Sequence, residues 1–121
     1  MSEIKDFKDL RIWATGMQIV KEIYRITAGF PKTEQFGLTN QMRRAGVSIP
    51  SNIVEGHVKN QTGEFLRYLS IAIGSCAELE TQLIISKELG WLKDENFKPL
   101  LELIKAETKQ INALKRRLTE S

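Results

Sequence analysis

Arginine, serine, asparagine and glutamate recur at helical spacing in the middle of this chain. Gln41, Arg44, Ser48, Asn52 and Glu55 follow one another at steps of three, four, four and three, and Ser75, Glu78 and Gln82 continue with three and four. Side chains three or four residues apart stand on one face of a helix. Two such stripes on neighbouring helices can meet as a hydrogen-bonded network, with Arg44 paired to Glu78 or Glu55, because buried charge survives only when paired. The rival readings are a ligand pocket and a solvated face, since polar residues on helices usually meet water. The weight falls against a pocket, on a structural network or a solvated face of Arg44, Ser48, Asn52, Glu55 and Glu78.

Other chemistry is thin. The single histidine, His57, stands beside a glycine at a helix end, so a two-histidine metal site is out of reach. Cys76 falls in an apolar stripe, where a cysteine is more often core than nucleophile. Glu55 with Glu78 is the only candidate acid–base pair, and no glycine-rich phosphate loop occurs. The residues therefore point to no enzyme, no metal and no cofactor. Nucleic-acid binding needs clustered cations to displace counterions from phosphates. Arg43, Lys105, Lys109, Lys115, Arg116 and Arg117 are the candidates for those contacts. The plain alternative is that they solubilise exposed faces and offset acids such as Glu102 and Glu107.

Helices must carry all of these residues. Leu10, Trp13, Met17, Val20 and Tyr24 set the phase of a first helix over about 6–28, with Ile12, Ile19, Ile23 and Ile26 widening it. Gly29 suits a left-handed last turn, and Pro31 cannot continue the helix. Thr33 is the expected N-cap of a second helix, with Leu38, Met42, Ala45, Ile49 and Ile53 inward and Gly56 closing it. Pro50 removes one backbone hydrogen bond there and predicts a kink rather than a break, because the stripe keeps its phase. A third helix over about 64–89 aligns Phe65, Leu69, Ala72, Cys76, Leu79 and Leu83. Its apolar arc is wide enough to be central to the fold or shared with another subunit. Asp94 and Glu95 open a fourth, where Phe97, Leu101, Ile104, Ile111, Leu114 and Leu118 run inward. Short connections between consecutive helices predict an all-α fold, an antiparallel up-down four-helix bundle forming one domain over 1–121.

The totals agree. A chain of 121 residues that is 41% hydrophobic and 27% charged is ordinary globular material. It buries roughly two thirds of its unfolded surface without disulfides. One cysteine suits a reducing cytosol. Glu3, Lys5, Asp6, Lys8 and Asp9 interrupt any leading apolar run, no stretch reaches the ~20 apolar residues that span a bilayer, and a cytoplasmic location is expected. The net charge of +3 permits an anionic partner without demanding one.

Several motifs are familiar. Phe7-Lys8-Asp9-Leu10 with Trp13, Phe30-Pro31 with Glu34, and Phe36-Gly37-Leu38-Thr39 resemble the opening of a bacterial four-helix-bundle family encoded in intervening sequences of 23S ribosomal RNA genes. Gln41-Met42-Arg43-Arg44-Ala45, Ser48-Ile49 and Asn52-Ile53-Val54-Glu55-Gly56 carry the strongest likeness. Phe65, Ala72, Gly74-Ser75, Glu78-Leu79 and Leu83 extend it. That family is similar in turn to the accessory proteins of diversity-generating retroelements. The resemblance implies a homopentamer with a basic surface, RNA or DNA as partner, and a reverse transcriptase or another protein beside it. One departure weakens the nucleic-acid implication: the 57–63 connection carries a single lysine, Lys59, where the family often carries several basic residues.

Overall fold

The computed structural model describes residues 6–120, the Asp9 side chain excepted; Glu3 and Lys5 fall outside this range. Among the described residues there are four α-helices and no strand: α1 (Arg11–Thr27), α2 (Leu38–Val58), α3 (Thr62–Glu88) and α4 (Asp94–Glu120). Short 3-10 turns at Phe7–Asp9 and Lys32–Glu34 precede α1 and α2. Each helix packs on its chain neighbours, and α1 also packs on α4, so the four enclose one core. The contacts run in opposite order along neighbouring helices. Arg43 meets Thr27 while Gly46 faces Ile23, and Met42 meets Ser86 while Ser48 meets Ser75.

Local chemistry sets the helix ends, in two places against expectation. The second helix starts at Leu38 rather than near Thr33, because Glu34 reaches forward and accepts the Leu38 backbone N–H at 3.2 Å. It also runs past Gly56 to Val58. A Cβ on Gly56 would lie 2.7 Å from the Tyr68 Cβ, so this glycine serves close contact with α3 and does not end the helix. Gly29 is not in the left-handed region; among the described glycines only Gly90 is, at φ 79°, where α3 ends. The α2 helix continues through Pro50, which is buried.

The cores of α2 and α3 are those the periodicity predicts: Met42, Ala45, Ile49, Ile53, Phe65, Leu69, Ala72, Cys76, Leu79 and Leu83 are all buried. The first helix differs. Ile12, Gly16, Ile19, Ile23 and Ile26 face the core, whereas Trp13, Met17 and Val20 are half-buried and Tyr24 is 45% exposed. Two apolar stripes compete on α1, and the winning one contains Gly16. A Cβ there would stand 3.3 Å from Cβ and Cδ of Pro50 and from the Glu107 carboxylate, closer than ordinary packing, so a glycine lets α1 settle this way without displacing either neighbour.

This choice of face is testable by urea denaturation. Ile19→Ala and Ile23→Ala should each cost about 2–4 kcal/mol, as deletions in a closed core do. Val20→Ala should cost about 1 kcal/mol or less. The reverse order would mean that α1 is turned onto its other stripe.

Candidate functional site

The polar stripes of α2 and α3 meet, but only in part. Ser48 and Ser75 share a hydrogen bond of 2.7 Å between their hydroxyls, and the Asn52 amide donates to the Ser48 hydroxyl at 2.8 Å. Gln82 donates to Glu78 at 3.3 Å and leaves its own amide oxygen buried without a partner. Arg44 and Glu78 line one groove of about 510 Å³ with Asn40, Gln41 and the outlying Phe36, yet they form no ion pair. Glu55 lies two turns from Ser48 in the direction away from Glu78. The expected Arg44–Glu78 or Arg44–Glu55 pair is therefore absent: both ends are exposed, and exposed pairs gain little in water. What remains closed is the Ser48–Ser75–Asn52 knot.

No catalytic constellation assembles among these residues. His57 packs edge-on against Phe65 at 5.9 Å, and Cys76 lies eleven residues further along the same helix as Phe65, about 16 Å away. Burial pushes the Cys76 thiol up to about 12, far from a reactive thiolate. Glu55 and Glu78 diverge along their helices and share no site. Among the described residues no group of histidine, cysteine and carboxylate side chains could hold a metal ion.

The sequence reading missed the most unusual group. By sequence Glu107 looks like a surface acid that offsets nearby lysines; instead it is fully buried, with neither carboxylate oxygen hydrogen-bonded. It points from α4 toward Gly16 of α1 and Pro50 of α2, with Cys76 of α3 nearby. Burial raises its pKa from 4.5 to about 8, so the carboxyl holds its proton at neutral pH. A signal was available: Ile104, Glu107, Ile111 and Leu114 follow at steps of three, four and three, and all are buried.

Turning Glu107 inward changes the outside of α4. From Lys105 to Arg117 every charged side chain that reaches solvent is a cation. Lys105, Lys109 and Arg116 fall on one helical stripe, and none of them pairs with an acid among the described residues. Lys115 donates to the Ser70 hydroxyl at 2.8 Å. Arg117 sits across a cleft from Arg11 at the start of α1, a helix with no side-chain cap and no acid in its first turn. The structure does not bring Arg43 to this group. It donates to Thr27 at 2.9 Å and lies 4.5 Å over the Tyr24 ring, near the other end of α1.

With the bundle and its surfaces described, comparison with known proteins is informative. The sequence profile of the 23S rRNA-intervening sequence proteins matches residues 8–113. The chain belongs to that family. Its fold is shared with a crystal structure of a protein of unknown function from the S23 ribosomal protein family of Bacteroides thetaiotaomicron VPI-5482. The two superpose with a TM-score of 0.79 at 18% identity, over 87% of this chain and 95% of that one. No curated protein matches the sequence. Neither description names an enzymatic activity. For this member of the 23S rRNA-intervening family, no helix among the described residues is long and apolar enough to cross a membrane.

Glu107 gives this family member a defined pH response. Its folded pKa of about 8 lies above the ordinary 4.5, so the folded state holds a proton that the unfolded state releases. The associated stability is full below pH 4.5 and is lost as pH rises to about 8, by up to about 1.4 kcal/mol per pH unit. Denaturation across that window should show the decline in the native chain and not in Glu107→Gln. The same slope in both proteins would place the titration elsewhere.

Proposed function

We propose that the protein is a non-enzymatic, self-associating helical bundle that binds RNA or DNA on its α1–α4 face in the cytoplasm. One observation supports this reading above the others: between the exposed acids Glu102 and Glu120, the stretch of α4 from Lys105 to Arg117 presents cations alone, because its single acid, Glu107, is turned into the core. Phosphate backbones are bound chiefly through such unopposed cations, which release condensed counterions. The family description, which names 23S rRNA intervening sequences, points the same way. A net charge of +3 per chain is modest, and assembly multiplies it.

Self-association is supported by the opposite side of the bundle. Ile71, Ile84 and Ile85 of α3, with Leu89 just beyond its end, are exposed between 41% and 55%, and Phe36 is 89% exposed beside the groove holding Arg44 and Glu78. Gly74 lies on the same helix with open space where a Cβ would be, room for another helix to approach. The likeness to retroelement accessory proteins favours five copies. That likeness also offers a reverse transcriptase as a protein partner. The second reading, a protein-interaction scaffold without nucleic acid, draws on this same apolar side.

Fluorescence anisotropy of nuclease-treated protein against structured RNA and duplex DNA at 50 and 200 mM salt distinguishes the two. Binding should weaken steeply with salt. Replacing Lys105, Lys109 and Arg116 with alanine should flatten the logarithmic salt slope by about 2–3. An unchanged slope removes these cations from the interface, and no binding at low salt leaves the scaffold reading.

A further inference from the structure

The cleft between the start of α1 and the end of α4 combines two chemistries. It encloses about 340 Å³, within the span of roughly 300–1,000 Å³ typical of small-ligand sites. Its floor is aliphatic. Leu10, Ile12 and Leu114 are core residues exposed by only 5%, 4% and 6%; Ala113 also lines the cleft, and Gln110 adds an amide whose oxygen is buried without a partner among the described residues. The cleft is thus a place where the core itself is reachable from outside. Its mouth carries Arg11 and Arg117, both exposed and neither paired with an acid among the described residues.

These two parts together restrict what can fit. A hydrated inorganic anion would use the guanidinium groups but gain nothing from the aliphatic floor. A neutral apolar molecule would use the floor and leave both charges idle. A flat ring joined to an anionic group uses both, and guanidinium planes also stack on such rings. We propose that the cleft holds one unpaired nucleotide of a bound nucleic acid, its base against Leu10, Ile12 and Leu114 and its phosphate between Arg11 and Arg117. This rests on the nucleic-acid reading of the α1–α4 face and gives that face a preference. Bases inside a duplex are stacked and cannot enter, whereas loop and single-strand bases can. The stripe of Lys105, Lys109 and Arg116 holds backbone of either kind, and the cleft selects for a base left out of the helix.

The test uses three labelled RNAs of equal phosphate count: a hairpin with an unpaired loop, a fully paired duplex, and the same hairpin with an abasic loop. The protein should bind the first about tenfold more tightly than the other two, the scale of burying part of a base against apolar side chains. Ala113→Phe, which fills the cleft, and the double variant Arg11→Gln with Arg117→Gln should each abolish that preference. In Ala113→Phe, duplex binding and its salt slope should be unchanged. The double variant alters only exposed side chains, so it reports on the cleft even where Ala113→Phe fails to fold. Equal affinity for the abasic loop would reduce the site to charge alone and overturn the proposal. So would a loop preference that survives both variants. Duplex binding without any loop preference overturns this proposal while leaving the nucleic-acid reading intact. Absence of binding to all three RNAs overturns both.

Discussion

Three helices meet around the missing side chain of Gly16, and much of the molecule follows from that approach. The Pro50 ring and the Glu107 carboxyl both come within 3.3 Å of the point a Cβ would occupy. A Cβ at position 16 would require Pro50 or Glu107 to give by a few tenths of an ångström. The two groups brought there are awkward ones. Pro50 cannot donate to the Gly46 carbonyl, and a buried carboxylate is costly unless it takes up a proton. The raised pKa of Glu107 is that proton uptake. The awkwardness has an external consequence, because an acid spent in the core is an acid missing from the surface of α4.

The bundle accordingly presents different chemistry on different sides. The side formed by α1 and the latter half of α4 is cationic. On α3 the exposed side carries Ile71, Ile84 and Ile85 beside the acid Glu78, and no lysine or arginine occurs between Arg67 and Lys87. The groove between α2 and α3 is polar, closed by the Ser48–Ser75–Asn52 bonds and open at Arg44 and Glu78. A charged partner and an apolar one can therefore be accommodated without competing for one surface. None of these surfaces resembles a catalytic centre, since the lone thiol is buried and the histidine packs on a phenylalanine.

The sequence disclosed the fold more readily than the site. α2 carries one apolar stripe and α3 a wider apolar arc around one, and the cores of both are legible residue by residue. α1 carries two apolar stripes, and periodicity cannot rank them. Their ranking depends on Gly16 meeting residues from two other helices, which is a tertiary fact. Thr33 was a good cap by type, but Glu34 was better placed to reach the Leu38 N–H. Glu107 was hidden because a glutamate among lysines looks like a surface acid. Its phase with Ile104 and Ile111 was the contrary signal. Arg44 and Glu78 were placed correctly on facing stripes, yet their pairing required burial that the fold does not supply. The cleft beside Arg11 joins residues about a hundred positions apart, and no local pattern announces it.

Glu107 lies protonated inside the bundle, which leaves the stretch of α4 from Lys105 to Arg117, between the exposed acids Glu102 and Glu120, without a negative charge. A carboxyl-carbon NMR titration of selectively labelled protein reads this directly, with Glu107→Gln assigning the resonance. A midpoint near pH 8 agrees with the buried, neutral acid described here. A midpoint near the ordinary 4.5 would put the carboxylate in water, return a negative charge to the face, and contradict the account.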